Sequence, residues 1–196
     1  MNRLTRERRI QRILLLAILL LAVGVTPSLG QNLLTQEEAL RLAFPGATRI
    51  ERRTAYLENA QLAAAGRRAG DAVEMRQNVV TYYVGKKGAQ NIGFAYFDAH
   101  RVRTQQEVLM IVVTPSGAVD RIELLQFAEP REYRPPPAWV ARFKGRVLNE
   151  ELAVRRGIPF LTGASLTANA VTEATRRILA LHAVIRASEA PPAPRR

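Results

Sequence analysis

The chain has 196 residues, no cysteine and a formal net charge of +12. This length suits one domain with a targeting segment. The lack of cysteine excludes disulfides, zinc ribbons, iron–sulfur clusters and thioether-linked haem. The two histidines, His100 and His182, have no neighbours spaced as metal ligands, so we expect no metal site.

The amino terminus predicts export. Residues 1–12 hold five arginines, and a run of 13 apolar residues follows at 13–25. A spanning helix needs about 20 such residues, whereas a signal sequence needs about 7–15. Ser28 and Gly30 favour cleavage before Gln31, although an anchor over residues 13–29 stays open. Either way, residues 1–30 would direct the domain to the periplasm or to the outer face of the cytoplasmic membrane.

The first elements of the domain are two helices around an extended segment. Thr35 and Glu38 form the pattern of a capping box, and Pro45-Gly46 ends that helix at Phe44. Residues 48–56 look extended, and residues 59–69 predict a second helix that ends near Gly70.

The centre of the chain predicts a sheet of hairpins, because β-branched and aromatic residues alternate with turn signals. The predicted strands are residues 73–84 and 92–98 around a turn at 85–88, then 108–113 and 118–127 around a turn at 114–117. The prolines of residues 130–137 exclude regular structure there, and a short helix follows around Trp139. Residues 145–160 look irregular.

Residues 168–186 form the clearest predicted helix, with one apolar stripe at spacings of three and four and with Arg176 and Arg177 off that stripe. The stripe consists of Val171, Ala174, Ile178, Leu181 and Ile185. We expect a disordered tail at 188–196 and a domain over residues 31–187. The predicted fold is therefore α+β, a mostly antiparallel sheet with flanking helices and a carboxy-terminal helix.

Basic residues occur in scattered pairs rather than in one run. Without a basic patch that has aromatic or base-reading context, the sequence predicts no nucleic-acid partner. A solvated basic surface is the plain interpretation. Attraction to anionic lipid or to an acidic redox partner is the alternative.

Residues 161–168 (LTGASLTA) form a loop that feeds the last helix. Unpaired amides and the positive end of the helix dipole suit a phosphate there, and Gly163 permits close backbone approach. Hydroxyl residues and glycine also begin helices as ordinary caps. The spacing alone leaves both interpretations open.

The stretch TGASLTANAV resembles the flavinylation motif of the FMN-binding domain family, which includes the G subunit of the Rnf complex and the C subunit of the sodium-translocating NADH:quinone reductase. That motif reads roughly (S/T)-G-A-(T/S)-x-(T/S) before a helix. The resemblance implies FMN esterified through its phosphate to Thr167 by a separate magnesium-dependent flavin transferase. The cofactor-binding residues that it implies are Thr162, Gly163, Ala164, Ser165, Leu166 and Thr167.

The resemblance extends over about residues 75–187, including the hairpin VVTPSGAVDRIELLQF and the EPREY stretch at 129–133. It implies an envelope electron carrier, not an enzyme, with a membrane oxidoreductase or haem protein as its partner. Pro159 departs from the family, since many members have aspartate there. A non-flavinylated binding module of the same fold is therefore the alternative. A flavin-using reductase is a third hypothesis, but the sequence shows no convincing acid–base pair.

Other residues have plainer interpretations. We expect Trp139 to be a packing anchor and the pair Asp98 and His100 to be an ordinary loop pair, with a proton relay as the alternative. Glu129 and Glu132 are expected in a solvated turn. Five aromatic residues of the first hairpin are expected to pack in the core rather than stack on a flavin: Tyr82, Tyr83, Phe94, Tyr96 and Phe97.

Overall fold

The computed structural model describes residues 31–189. The predicted export signal or anchor at 1–30 lies outside the described residues, as do residues 190–196 of the predicted tail. Among the helices of the described part, none is long and apolar enough to cross a membrane.

The domain is built on one antiparallel sheet of six strands in the order β1-β6-β5-β4-β3-β2. Four helices complete it, which confirms the predicted α+β fold. The strands are β1 (Gln31–Asn32), β2 (Arg49–Tyr56), β3 (Val79–Lys87), β4 (Gln90–Val102), β5 (Gln105–Val113) and β6 (Val119–Phe127). The helices are α1 (Gln36–Ala43), α2 (Asn59–Ala69), α3 (Pro137–Val140) and α4 (Ser165–Glu189), with 3₁₀ turns at Arg131–Tyr133 and Ala141–Phe143.

The sheet carries a core on each face. On one face α1 packs on Ala95, Met110 and Val112. On the other face α2 and α4 cover the larger core, which contains Tyr82, Tyr96 and much of β5. The sheet is therefore sandwiched between α1 and the α2–α4 pair, and α4 is the element that fixes the motif relative to the sheet.

Several predicted strand boundaries were wrong. Residues 73–78 precede the strand, which begins at Val79, and the first tight turn is only Gly88-Ala89. β4 runs on to Val102 and turns through Arg103-Thr104 into β5, so the two predicted hairpins join into one meander. The polar run at 98–101 looked like a loop, but Asp98 and His100 are buried and their charges are compensated inside the protein. β1 was not predicted.

The last helix is longer than predicted, starting at Ser165 and ending at Glu189. Its apolar stripe is confirmed, since all five stripe residues are buried. Arg177 lies off the apolar stripe, as predicted, but it is nevertheless buried, at only 6% exposed. α4 lies between α2 and the sheet, and it is therefore buried on more than one face. The capping box at Thr35 and Glu38 is confirmed for α1.

Gly85 of β3 lets α1 close onto the sheet. A Cβ atom at this position would lie 2.4 Å from Cδ1 and 2.5 Å from Cγ of Phe44, whose ring is buried. Contacts that short do not occur between carbon atoms, so a side chain here must displace the ring. The turn after α1 therefore packs against the sheet only because position 85 lacks a side chain.

We expect Gly85→Ala to lower the free energy of unfolding by about 1–3 kcal/mol, because the added methyl overpacks the Phe44 ring. Urea unfolding measures the effect. Gly66→Ala is the control on α2, where a Cβ would meet only Met75 at 3.7 Å. That variant should gain about 0.5–1 kcal/mol from helix propensity. Equal effects of the two substitutions would contradict the close approach at Gly85.

Candidate functional site

The motif residues lie at the amino-terminal end of α4. The amide of Ala164 donates to the carbonyl of Leu161 at 3.2 Å, and Gly163 has a φ of 81°, which favours glycine. A Cβ at Gly163 would meet nothing within 4 Å, so the backbone there is open to a ligand. Thr162, Gly163 and Ser165 are exposed. The predicted loop therefore exists, but it ends at Ala164.

Thr167 lies in the first turn of α4 rather than in the loop before it. Its side chain is only 2% exposed. Thr172 and Thr175, further along the helix, donate hydrogen bonds at 2.7 Å to backbone carbonyls four residues earlier. Within residues 31–189 no such partner engages the Thr167 hydroxyl. The residue as a whole is therefore almost fully covered, but its oxygen is not one of the fully buried polar atoms that lack a partner.

The first turn of α4 also leaves donors free. Ala168 is the first residue whose amide bonds into the helix, to the carbonyl of Ala164 at 3.0 Å. Within the described residues, no backbone carbonyl accepts a hydrogen bond from the amides of Ser165, Leu166 and Thr167. These amides point out of the helix end, where the dipole is positive. Side chains on a helix lean towards its amino terminus. The Thr167 side chain and these free amides therefore lie at the same, amino-terminal end of α4.

Thr167 lines a small cavity of about 10 Å³ together with Val102, Arg103, Glu129 and Tyr133. The Oε1 atom of Glu129 is buried and has no hydrogen-bond partner in the described part of the chain. The expectation of a solvated turn was therefore wrong for Glu129, while Glu132 is exposed. An orphan carboxylate oxygen in a protein interior is costly and needs an explanation.

Two arginines beside the motif have strained backbones. Arg103 and Arg155 have φ values of 52° and 69°, the positive values that occur outside glycine in the described chain. Arg103 stacks over the Tyr133 ring at 4.6 Å, and Arg155 stacks over the Phe160 ring at 4.7 Å. Left-handed conformations of such residues cost energy and cluster at functional sites. Arg103 lines the same cavity as Thr167, and Arg155 lies over Phe160, two residues before the motif.

Pro159 and Trp139 fix the segment that leads into the motif. The Trp139 indole N–H donates to the Pro159 carbonyl at 2.8 Å, and the Trp139 ring packs edge-on against Phe143. Trp139 is 7% exposed, which confirms it as a packing anchor. Pro159 is exposed. The backbone of Pro159 is thus used structurally, whereas its side chain supplies no carboxylate.

β4 and α4 run antiparallel to each other, and a series of contacts joins them. At one end Val102 and Thr167 line the same cavity. Further along, Asp98 binds Arg177, and Tyr96 bonds the Nδ1 atom of His182 at 2.9 Å. Thr167 and His182 therefore mark opposite ends of one rigid helix–strand pair. Tyr82, Phe94 and Tyr96 pack in the core between them, as predicted.

A buried charged network occupies the middle of this pair. His100 Nδ1 lies 2.8 Å from Asp98 Oδ1, and His100 Nε2 lies 3.0 Å from Glu107 Oε2. Arg177 donates to both oxygens of Asp98 at 2.8 and 3.2 Å. All four residues are less than a tenth exposed. The expectation of an ordinary loop pair was wrong, because Asp98 and His100 both face inwards from β4.

The charges in this network compensate one another. Burial alone would lower the pKa of His100, but hydrogen bonds to Asp98 and Glu107 raise it to about 9. Burial would likewise raise the pKa of Asp98, but His100 and Arg177 hold it well below its usual range. Both ring nitrogens of His100 face carboxylates, so both must donate. The network therefore contains two anions and two cations, and it ties α4 to the sheet.

His182 has the opposite behaviour. Burial and then the nearby Arg186 lower its pKa to about 4, so its ring is neutral at pH 7 and pairs with the Tyr96 hydroxyl. His182 borders a cleft of about 550 Å³, together with Arg68 and Ser116. That cleft lies more than ten residues along α4 from Thr167. It is separate from the motif.

No protein-family model matches the chain, and no curated protein is significantly similar to it. The chemistry of the site therefore has to be judged from the residues that form it.

The buried charged network was not predicted as a group from the sequence; its members are Asp98, His100, Glu107 and Arg177. A signal for them existed in the alternation of β4, where residues 94, 96, 98, 100 and 102 are all buried.

Proposed function

We propose that this protein is an electron carrier of the cell envelope that holds FMN through a phosphoester to Thr167. The observation that carries the proposal is the Thr167 hydroxyl, which makes no hydrogen bond within residues 31–189 and lies in the first turn of a 25-residue helix. The likeness of residues 162–167 to the flavinylation motif gives this hydroxyl a chemical role. FMN held there would accept and donate one or two electrons.

The residues present fit the phosphate end of the cofactor. Three free amides at the start of α4 are the donors that an anion prefers. Arg103 lines the Thr167 cavity and supplies positive charge. Gly163 keeps the approach open. Phe160 and Leu166 are 43% and 48% exposed and offer apolar surface beside the motif. These residues would bind and orient the cofactor, and none of them is required to turn over a metabolite.

The predicted export signal or anchor supports an envelope location, where a tethered cofactor is not lost by dissociation. A flavin transferase would load the protein. A membrane oxidoreductase or a haem protein would exchange electrons with it, and residues 13–29 would attach it to the membrane if they are retained.

The decisive test is production of the exported full chain together with a flavin transferase. We expect a fluorescent band that survives denaturing electrophoresis and an intact mass raised by one FMN minus water. Thr167→Val keeps the shape of the side chain but removes the hydroxyl, and it should abolish both signals. Thr172→Val is the matched control, because Thr172 is also a buried threonine of α4. It should be labelled like the natural protein.

A binding module without flavin is the second candidate, and two observations favour it. Thr167 is 2% exposed, so it is covered in the folded domain, and Pro159 stands where many family members have aspartate. A colourless product of unmodified mass, with active transferase and flavin present, would favour this module and contradict the carrier.

A further inference from the structure

We propose that the cleft beside His182 binds a small organic anion, a carboxylate carried on an apolar ring or short chain. The cleft measures about 550 Å³, which is within the range of small-molecule sites. His182 lies roughly 22 Å along α4 from Thr167, because a helix rises about 1.5 Å per residue. The inference therefore goes beyond the proposed function and does not depend on whether Thr167 carries FMN.

The cleft is built from four segments of the chain and has an apolar wall. The second half of α4, the last turn of α2, the turn at 115–117 and the segment 147–148 all line it. Leu179 is 3% exposed and belongs to the larger core, whereas Val147 is 45% exposed at the mouth. Such a lining suits a ring or a short chain rather than a bare inorganic ion. The apolar lining residues are Pro115, Val147, Leu148, Leu179 and Ala183.

The charged side chains that line the cleft are both arginines. Arg68 is exposed and has no ion-pair partner within residues 31–189. Arg186 stacks over the Phe94 ring at 4.9 Å and pairs with Glu189. The Oε1 atom of Glu189 also lies 3.6 Å from Nη1 of Arg53, so one carboxylate is shared between two arginines. The cleft is therefore positive, and an anion would compensate its charge.

The tautomer of His182 follows from its hydrogen bond to Tyr96. The Tyr96 hydroxyl lies 2.9 Å from Nδ1 of His182, and Tyr96 is fully buried. Within the described residues no other acceptor serves this hydroxyl, and a buried hydroxyl proton requires one. Tyr96 therefore donates to Nδ1. Because the pKa of His182 is lowered to about 4, the ring is neutral at pH 7 and its single proton is on Nε2.

The Nε2–H group of His182 is an unused donor on the side of the ring away from Tyr96. It makes no hydrogen bond within residues 31–189, yet Nε2 is not one of the fully enclosed polar atoms that lack a partner. Nε2 therefore keeps contact with solvent, and the cleft is the open space that His182 borders. A carboxylate here accepts from Nε2–H and is balanced by the guanidinium groups.

The pKa of His182 is a second sign of the positive potential in the cleft. Burial lowers this pKa most, and the charge of Arg186 lowers it further. A potential that disfavours an imidazolium ion favours an anion at the same place. The geometry and the electrostatics of the cleft therefore agree on the charge of its ligand.

The test measures binding of 2-naphthoate by isothermal titration calorimetry at pH 7. It uses the full chain, purified from a host that lacks flavin transferase. The matched probe is 2-naphthamide, which has the same ring and nearly the same shape but no charge. We expect one 2-naphthoate per chain with a dissociation constant of about 0.1 mM or lower, and binding of the amide that is about tenfold weaker or less.

Two pairs of variants locate the bound anion. Arg68→Met removes the unpaired guanidinium from an exposed position and should weaken 2-naphthoate binding about tenfold. Arg67→Met, the neighbouring exposed arginine that does not line the cleft, should change binding by less than about twofold, because solvent and salt screen its charge. Val147→Glu adds a carboxylate at the mouth and should abolish binding. Val147→Gln has the same size without the charge and should retain it.

Three results would overturn the inference: no saturable binding of 2-naphthoate below about 1 mM, equal binding of the amide, or binding that Arg68→Met and Val147→Glu leave unchanged. The last result would mean that the anion binds elsewhere on the chain. None of these results affects the proposed function, which covalent labelling of Thr167 decides separately.

Discussion

Replacement of Arg177 by methionine is expected to lower the free energy of unfolding by about 3–5 kcal/mol, the range for breaking a buried ion pair. Methionine keeps much of the side-chain volume, so the loss is mainly electrostatic. Asp98 would lose both hydrogen bonds from Arg177 and would share only His100 with Glu107. The carbonyl of Glu74 would also lose its donor. Urea unfolding with a two-state fit measures the effect.

Arg67→Met is the matched control, because Arg67 is exposed on α2. Its effect should stay within about 0.5 kcal/mol. The double variant Asp98→Asn/Arg177→Met should lose less stability than the sum of its two single variants, because the second change removes the charge that the first left unpaired. Strict additivity, or a loss below 1 kcal/mol for Arg177→Met, would show that the network contributes little.

Stability is expected to peak near pH 6.5 and to fall on both sides, because the two histidines are shifted in opposite directions. The pKa of His100 is raised from 6.5 to about 9. The contribution of His100 to the free energy of unfolding is therefore complete below pH 6.5 and is lost as the pH rises through 9. The pKa of His182 is lowered from 6.5 to about 4. Its contribution is complete above pH 6.5 and is lost as the pH falls through 4.

Each shift is worth about 3 kcal/mol, since one pKa unit corresponds to about 1.4 kcal/mol. Unfolding free energies between pH 4 and pH 9.5 would trace both limbs. His100→Gln should remove the alkaline limb and keep the acid limb, whereas His182→Gln should do the reverse. The lowered pKa of Asp98 adds a further loss of stability, but only in stronger acid. A flat profile across this range would contradict both shifts.

The helices and the hairpin strands could be predicted because their sequence signals are local: caps, turn residues and the spacing of apolar residues. The capping box of α1 lies within four residues, and the stripe of α4 repeats along a single helix. The charged network could not be predicted in this way. Asp98 and Arg177 are 79 residues apart, and each looks like a surface residue until the other compensates its charge. Polar residues at 98–101 therefore ended the predicted strand too early.

Residues 162–167 lie at the start of the last helix, as predicted, because glycine and hydroxyl residues there follow from local chemistry. Their role in holding FMN stays a prediction. The burial of Thr167 depends on β4, on the turn at Arg103 and on the segment after β6, which meet only in three dimensions. The orphan oxygen of Glu129 has the same origin. The EPREY stretch carried a hint, but spacing alone does not show which glutamate faces inwards.

Helices fray from their ends, and local opening there costs far less than unfolding of the whole domain. Thr167 lies in the terminal turn of α4, whose opening amides have no helical bonds to break. The rest of the helix is held by the core and by Arg177. Under the proposed function, the transferase would reach the Thr167 hydroxyl through transient unwinding of one turn, while the sheet stays intact. Loading would then be gated by how often that turn opens, and hydrogen exchange at residues 168–170 would report the same motion.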